Sequence, residues 1–171
     1  LATCASEPNQ DEESERHLFL AAQRWIKETR GIGVEMDNRF LSLVLNRLGK
    51  NSVVFNQIIG FSKCYNDMTK KEAAPHCAKA LELAFRRVKE QKRKLGHYSG
   101  ATFHVFEMTL KFYLRLLEKS GQLDKYKKDV SAYEMWLEEV CRKNRNHKRM
   151  FYLWGCTLLA RARTPGVKID E

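Results

Sequence analysis

Hydrophobic residues recur along this chain at intervals of three and four, the spacing that lines one face of an α-helix. Leu18, Ala22 and Trp25 follow it in a first segment, which Gly31 and Gly33 stop. Phe40, Leu41, Val44, Leu45 and Leu48 follow it in a second, which Asp37 is placed to cap and Gly49 to end. A third runs from Val53 to Lys63, with Asn51 or Ser52 as its cap and Asn66-Asp67 as its break. Phe103, Phe106, Leu110, Tyr113 (or Leu114) and Leu117 mark a fifth segment between Ser99 and Ser120-Gly121. Tyr126, Val130, Tyr133, Leu137 and Val140 mark a sixth, spanning 123–143, and Asn144-Arg145-Asn146 reads as a short break. The seventh carries Phe151, Trp154 and Leu158 and runs to Thr164-Pro165.

The fourth segment requires a choice. Thr69-x-x-Glu72 has the form of a capping box, yet Pro75 lies six residues beyond Thr69. A helix here either starts at Pro75, where proline suits the first turn, or starts earlier and kinks there. The start near Pro75 is preferred, giving a helix over 75–94 that Gly96 closes. No stretch alternates as a strand would. The expected fold is therefore all-α, with about seven helices in antiparallel hairpins, either solenoid-like or a bundle. Residues 1–10 read as a flexible lead-in, 11–164 as a single helical domain and 165–171 as a tail.

Composition fits that picture. Of 171 residues, 43% are hydrophobic, 30% are charged and three are proline, as in a folded chain with its own core. No apolar run approaches the ~20 residues of a membrane span, so no membrane partner is expected. The five cysteines (Cys4, Cys64, Cys77, Cys141 and Cys156) are odd in number and lack CxxC spacing. A disulfide framework is not indicated, and an intracellular, reducing compartment is expected.

Charge changes the picture more. Residues 1–40 hold eight acids against five bases, a balance of −3, so with a net charge of +10 the remainder carries +13. That asymmetry fits a polyanionic partner for the later part, or a solvated basic surface. The bases cluster twice. Arg86, Arg87, Lys89, Lys92, Arg93 and Lys94 form one group. Arg142, Lys143, Arg145, His147, Lys148 and Arg149 form the other, with no acid from Val140 to Ala160. Both read as helix C-terminal clusters, where the dipole favours cations. If the hairpins stack in register, the two would share one edge as a basic rim for phosphates. Tyr98, Tyr152 and Trp154 are either core residues or stacking surfaces for bases.

Enzymatic signatures are missing. GxSxG, HExxH, a Walker loop and a Gly-rich dinucleotide turn do not occur. The five histidines are scattered, and His76 and Cys77, being adjacent, point about 100° apart on a helix. A non-enzymatic protein without cofactor or metal is expected.

Phe55, Phe103 and Phe151 fall 48 residues apart and each opens an apolar helix, as in stacked hairpin units. Val53-Val54-Phe55-Asn56-Gln57-Ile58-Ile59 resembles the first helix of a pentatricopeptide repeat, and 80–90 resembles its second. Leu117–Lys125 is similar to the family's inter-helix turn, and Gly31–Asp37 to the link between units. The 48-residue spacing and the long connection at 66–74 depart from that family's shorter unit. The resemblance implies binding of single-stranded RNA in a mitochondrion or other organelle, read by side chains of the first helices. It places Asn56 at the base-reading position, with His104 and Tyr152 at the equivalent places. The alternative is a helical scaffold for a protein partner, possibly within a ribonucleoprotein, engaged through the acidic N-terminal helix.

Overall fold

The computed structural model describes residues 16–18, 20–21, 24, 46, 49, 52–64, 70–98 and 100–163. Among them the fold is all-α: every element is a helix or a turn, as the periodicity predicts. Five helices have defined bounds: α1 (Val53–Cys64), α2 (Lys70–Leu95), α3 (Gly100–Ser120), α4 (Lys127–Lys143) and α5 (Lys148–Ala162). Arg16, His17, Leu18, Leu20, Ala21 and Arg24 are helical, within the first expected segment, and Asn46 is helical within the second. Most of those two segments lies outside the described residues, as do the lead-in, the tail, Asn66-Asp67, Thr69 and Ser99. The chain divides into two compact units, Leu1–Thr109 and Leu110–Glu171, with α3 contributing its first half to one and its second half to the other.

In the first unit, α1 starts at a serine cap: Ser52 Oγ accepts the Phe55 backbone N–H at 3.0 Å. This satisfies one of the amides that a helix start leaves without an intrahelical partner. Val53, Val54 and Ile58 are fully buried. Antiparallel to α1 lies α2, with Lys63 pairing to Glu72 at 2.7 Å near one end of the hairpin. Its inner face is small: Ala73, Ala74, Cys77, Ala80 and Ala84, with Leu81 and Val88. Gly60 of α1 fits against that face. A Cβ there would meet Cys77 Sγ, and would stand 3.4 Å from Cys77 N and 3.5 Å from Ala73 O.

That close approach explains why α2 does not begin at Pro75. The helix starts at Lys70 and Pro75 is its sixth residue. An interior proline removes one ladder hydrogen bond and crowds the carbonyl four residues back, at a cost of roughly 3 kcal/mol. The turn preceding it carries Ala73 and Ala74, both wholly buried against the glycine-bearing helix, and packing keeps this turn helical. Gly96, at φ +75°, ends α2, its N–H returning to Lys92 O at 3.0 Å. The start of α3 joins through Phe85 and Phe106, whose ring centres are 5.7 Å apart. Gln57 of α1 donates to Thr109 Oγ1, which itself donates to Val105 O at 2.6 Å.

In the second unit, the expected stripe of α3 is buried as read: Leu110, Tyr113, Leu114 and Leu117 continue what Phe103 and Phe106 begin. Gly121 at φ +64° ends the helix, with Gln122 N–H bonded to Leu117 O at 3.0 Å and Gly121 N–H to Glu118 O at 3.3 Å. This double return is a Schellman motif. Turns occupy 121–126, so α4 opens at Lys127 and not at 123. Its buried residues are Val130, Glu134, Leu137 and Cys141. The neighbours Tyr133 and Val140, read as core, are only half-buried.

The stripe of α5 is likewise turned by one residue from the expectation. Met150, Leu153, Thr157 and Ala160 are buried, whereas Phe151 is 38% exposed and Trp154 and Leu158 are half-buried. Thr157 can occupy the core because its hydroxyl donates to Trp154 O at 2.7 Å within the helix. Arg161 of α5 pairs with Glu134 of α4 at 3.0 Å across the hairpin, and Arg163, just after α5, pairs with Glu118 of α3 at 3.2 Å.

Candidate functional site

The first basic cluster follows the exposed side and last turns of α2. Arg86 pairs with Glu82 at 2.8 Å and Lys94 with Glu90 at 2.9 Å, each one helical turn apart. Lys89 stands 5.0 Å from the centre of the Phe85 ring, and Lys92 5.2 Å from that of Tyr98 while donating to Gly96 O. Arg87 and Arg93 are exposed, and Arg93 makes no ion pair among the described residues. Lys92, Arg93 and Lys94 occupy the last turn, where the dipole favours them. Hydrogen bonding from Lys94 holds the Glu90 carboxyl below the ordinary carboxylate range, and hydrogen bonding from Lys79 does the same for Glu82. The cluster is thus partly neutralised by its own helix.

The second cluster is divided differently from the sequence expectation. Arg142 and Lys143 do end α4, paired one turn back with Glu138 at 2.5 Å and Glu139 at 2.6 Å. Lys148 and Arg149, however, open α5. The break at Asn144–His147 puts them in a first turn that holds no acid, where the positive end of the helix dipole disfavours cations. His147 occupies the cap position without a side-chain hydrogen bond to the helix. Arg145, Lys148 and Arg149 are exposed, and Arg145 and Lys148 make no ion pair among the described residues. Five cations therefore flank or occupy the α4–α5 turn: Arg142 and Lys143 end α4, Arg145 lies in the turn, and Lys148 and Arg149 open α5.

The base-reading candidates are placed otherwise. Asn56 is 7% exposed, and its amide donates to Ser52 O at 3.0 Å, so it belongs to the buried start of α1. His104 is half-buried on α3. Tyr98 is half-buried beside Phe103, at 6.3 Å between ring centres, and Trp154 is half-buried beside Phe151, also at 6.3 Å. Tyr152, by contrast, is 55% exposed one turn after Lys148. Lys111, which sequence reasoning did not single out, stands 4.9 Å from the centre of its ring. The two lie 41 positions apart in the chain, and no local spacing relates them.

Among the described residues, no group of three His, Cys, Asp or Glu side chains is arranged to hold a metal ion. Among the same residues no helix is long and apolar enough to cross a membrane. Cys77 and Cys141 are buried and Cys156 half-buried, none of the three in a disulfide, and burial pushes the Cys141 thiol upward. Comparison with family models, curated proteins and solved structures finds no match for this chain. The functional reading therefore rests on its own residues.

Proposed function

We propose that this chain is a non-enzymatic RNA-binding helical module that holds phosphates with exposed cations. The reading rests above all on the start of α5, where Lys148 and Arg149 occupy a first turn with no acid and Arg145 precedes it. Cations at that end of a helix oppose the local dipole. A bound phosphate would reverse the balance, since it is attracted both by the side chains and by the helix N-terminus. Arg142 and Lys143 end α4 on the other side of the same turn, and charge-assisted contacts of this kind are roughly twice as strong as neutral ones. The α2 cluster supplies a second set of cations, of which Arg86 and Lys94 must first exchange Glu82 and Glu90 for phosphate, as Arg142 and Lys143 must exchange Glu138 and Glu139. The resemblance to pentatricopeptide repeats points the same way and suggests an organellar setting.

Phosphate contacts confer affinity that falls steeply with salt and carries little sequence preference. The direct test is binding of a fluorescent single-stranded RNA pool at two salt concentrations. It is run beside a variant with Arg142, Lys143, Arg145, Lys148 and Arg149 changed to Glu. Binding that weakens steeply with salt and disappears in the variant is expected; no binding at low salt refutes the reading. A second reading, a scaffold for a protein partner, draws on Met135 and Leu159, apolar side chains that are 67% and 58% exposed on α4 and α5.

A further inference from the structure

We infer that Tyr152 is a base-stacking platform that makes the α4–α5 corner prefer single-stranded RNA over duplex. The inference rests on the phosphate-binding reading of that corner and names the form of nucleic acid it takes. Phe151 and Tyr152 are the exposed aromatic residues among those described, and Tyr152 is the more open of the two. It follows Lys148 by four residues, so the two side chains rise from the same face of α5 with Cβ atoms about 5–6 Å apart. Phosphate and base of one nucleotide would thus meet adjacent groups: the ammonium of Lys148 and the ring of Tyr152.

The ring is held without being covered. Lys111 reaches it from α3, at 4.9 Å from its centre, an arrangement that fixes an aromatic by cation–π attraction. Over half of Tyr152 nonetheless remains open to solvent. Lys89 over Phe85 and Lys92 over Tyr98 make comparable contacts on α2, but those rings are half-buried against Phe106 and Phe103. Among the described residues, the α5 corner is where an exposed tyrosine ring coincides with a basic first turn that holds no acid.

Stacking on such a ring requires a base free of its own neighbours. Single strands provide one; in a duplex the bases are stacked and paired. The cations act on either form alike, because both present phosphates. The ring is therefore the part of the site that discriminates.

The test compares the full chain with Tyr152→Ala and Tyr152→Phe on a labelled single-stranded RNA and on a duplex of the same length. Tyr152→Ala is expected to weaken single-strand binding about five- to hundredfold, the range for losing one stacked base. Duplex binding stays within about twofold and the salt slope is unchanged, as no phosphate contact is lost. Tyr152→Phe keeps single-strand binding, because the ring and not the hydroxyl carries it. Circular dichroism confirms that both variants fold.

If Tyr152→Ala binds single strands as the wild type does while reversal of the five cations abolishes binding, the platform is refuted and the phosphate reading stands. Equal loss on both RNA forms also refutes it. A wild-type chain that binds anionic phospholipid vesicles but no RNA overturns both.

Discussion

The hairpin of α1 and α2 and the hairpin of α4 and α5 are both antiparallel helix pairs with apolar cores, yet they pack differently. The first closes on small side chains: Gly60 sits on Ala73 and Cys77, and α2 turns alanines inward along its length. The second buries larger side chains, Leu137, Met150 and Leu153, adds an ion pair between Glu134 and Arg161, and leaves Phe151, Tyr152, Leu159 and Met135 exposed. Backbones approach closely where side chains are small, and the area so buried is almost wholly apolar. An ion pair at a helix interface adds less stability, because each charge is stripped of water first. The contrast suggests a division of labour. The first hairpin is built mainly to persist, and the second retains surface that its own fold does not use.

The sharpest way to break this comparison is through the register of α5. Leu153→Ala removes a wholly buried side chain and is expected to cost about 2–5 kcal/mol. Phe151→Ala, at a ring that is 38% exposed, is expected to cost less than about 1 kcal/mol beyond helix propensity. Chemical denaturation of the two variants reads the difference. The reverse order would restore the face that the sequence pattern suggests.

A second comparison concerns the closing contacts themselves. Arg161→Ala leaves the Glu134 carboxylate, only 7% exposed, without its cation, and is expected to cost about 1–3 kcal/mol at neutral pH, less than for a fully buried pair. The pH dependence carries a definite sign. Burial pushes the Glu134 carboxyl above its ordinary range, Arg161 pulls it back in part and Glu138 pushes it up again. Without Arg161 it rises further. The folded variant then holds the proton more tightly than the unfolded chain does, so stability is regained as pH falls through that raised range. The deficit of Arg161→Ala should therefore shrink from pH 7 to pH 5 in urea melts. A constant deficit would mean that Glu134 is not left as a buried charge.

Smaller effects separate the two glycines. Gly60→Ala drives a methyl into Cys77 and should destabilise the first hairpin by about 1–3 kcal/mol. Gly155→Ala meets open space in the middle of α5 and should stabilise by up to about 1 kcal/mol. Opposite shifts in melting temperature are the expected outcome.

How far these features were legible in the sequence depends on whether apolar pattern alone decided them. The stripe of α3 was read correctly because nothing polar interrupts it from Phe103 to Leu117 except Thr109, which is buried but bonded within the structure. Ser52 was one of two cap candidates, and geometry selects it. The start of α2 was misread because proline suits a first turn, whereas packing of Ala73 and Ala74 carried the helix back to Lys70. On α4 Val130 and Leu137 are buried as the pattern has them, while Glu134 and Cys141 take the places of Tyr133 and Val140; on α5 the whole stripe, with Thr157 in it, shifts by one position. The candidate site was half legible. Its cations were visible as a cluster, but their division between the end of one helix and the start of the next follows from the turn at Asn144–His147. The contact between Lys111 and Tyr152 is tertiary and leaves no local trace.

The central claim is that the α4–α5 corner, more than the α2 cluster, holds RNA phosphates. Its most direct test is single-stranded RNA binding at low salt to two charge-reversal variants side by side. One carries Glu at Arg145, Lys148 and Arg149, the other at Arg86, Lys89 and Arg93. The account predicts that the first loses at least about tenfold more affinity than the second, since the α5 start has no acids to neutralise it. Equal losses, or a greater loss from the α2 variant, would contradict it.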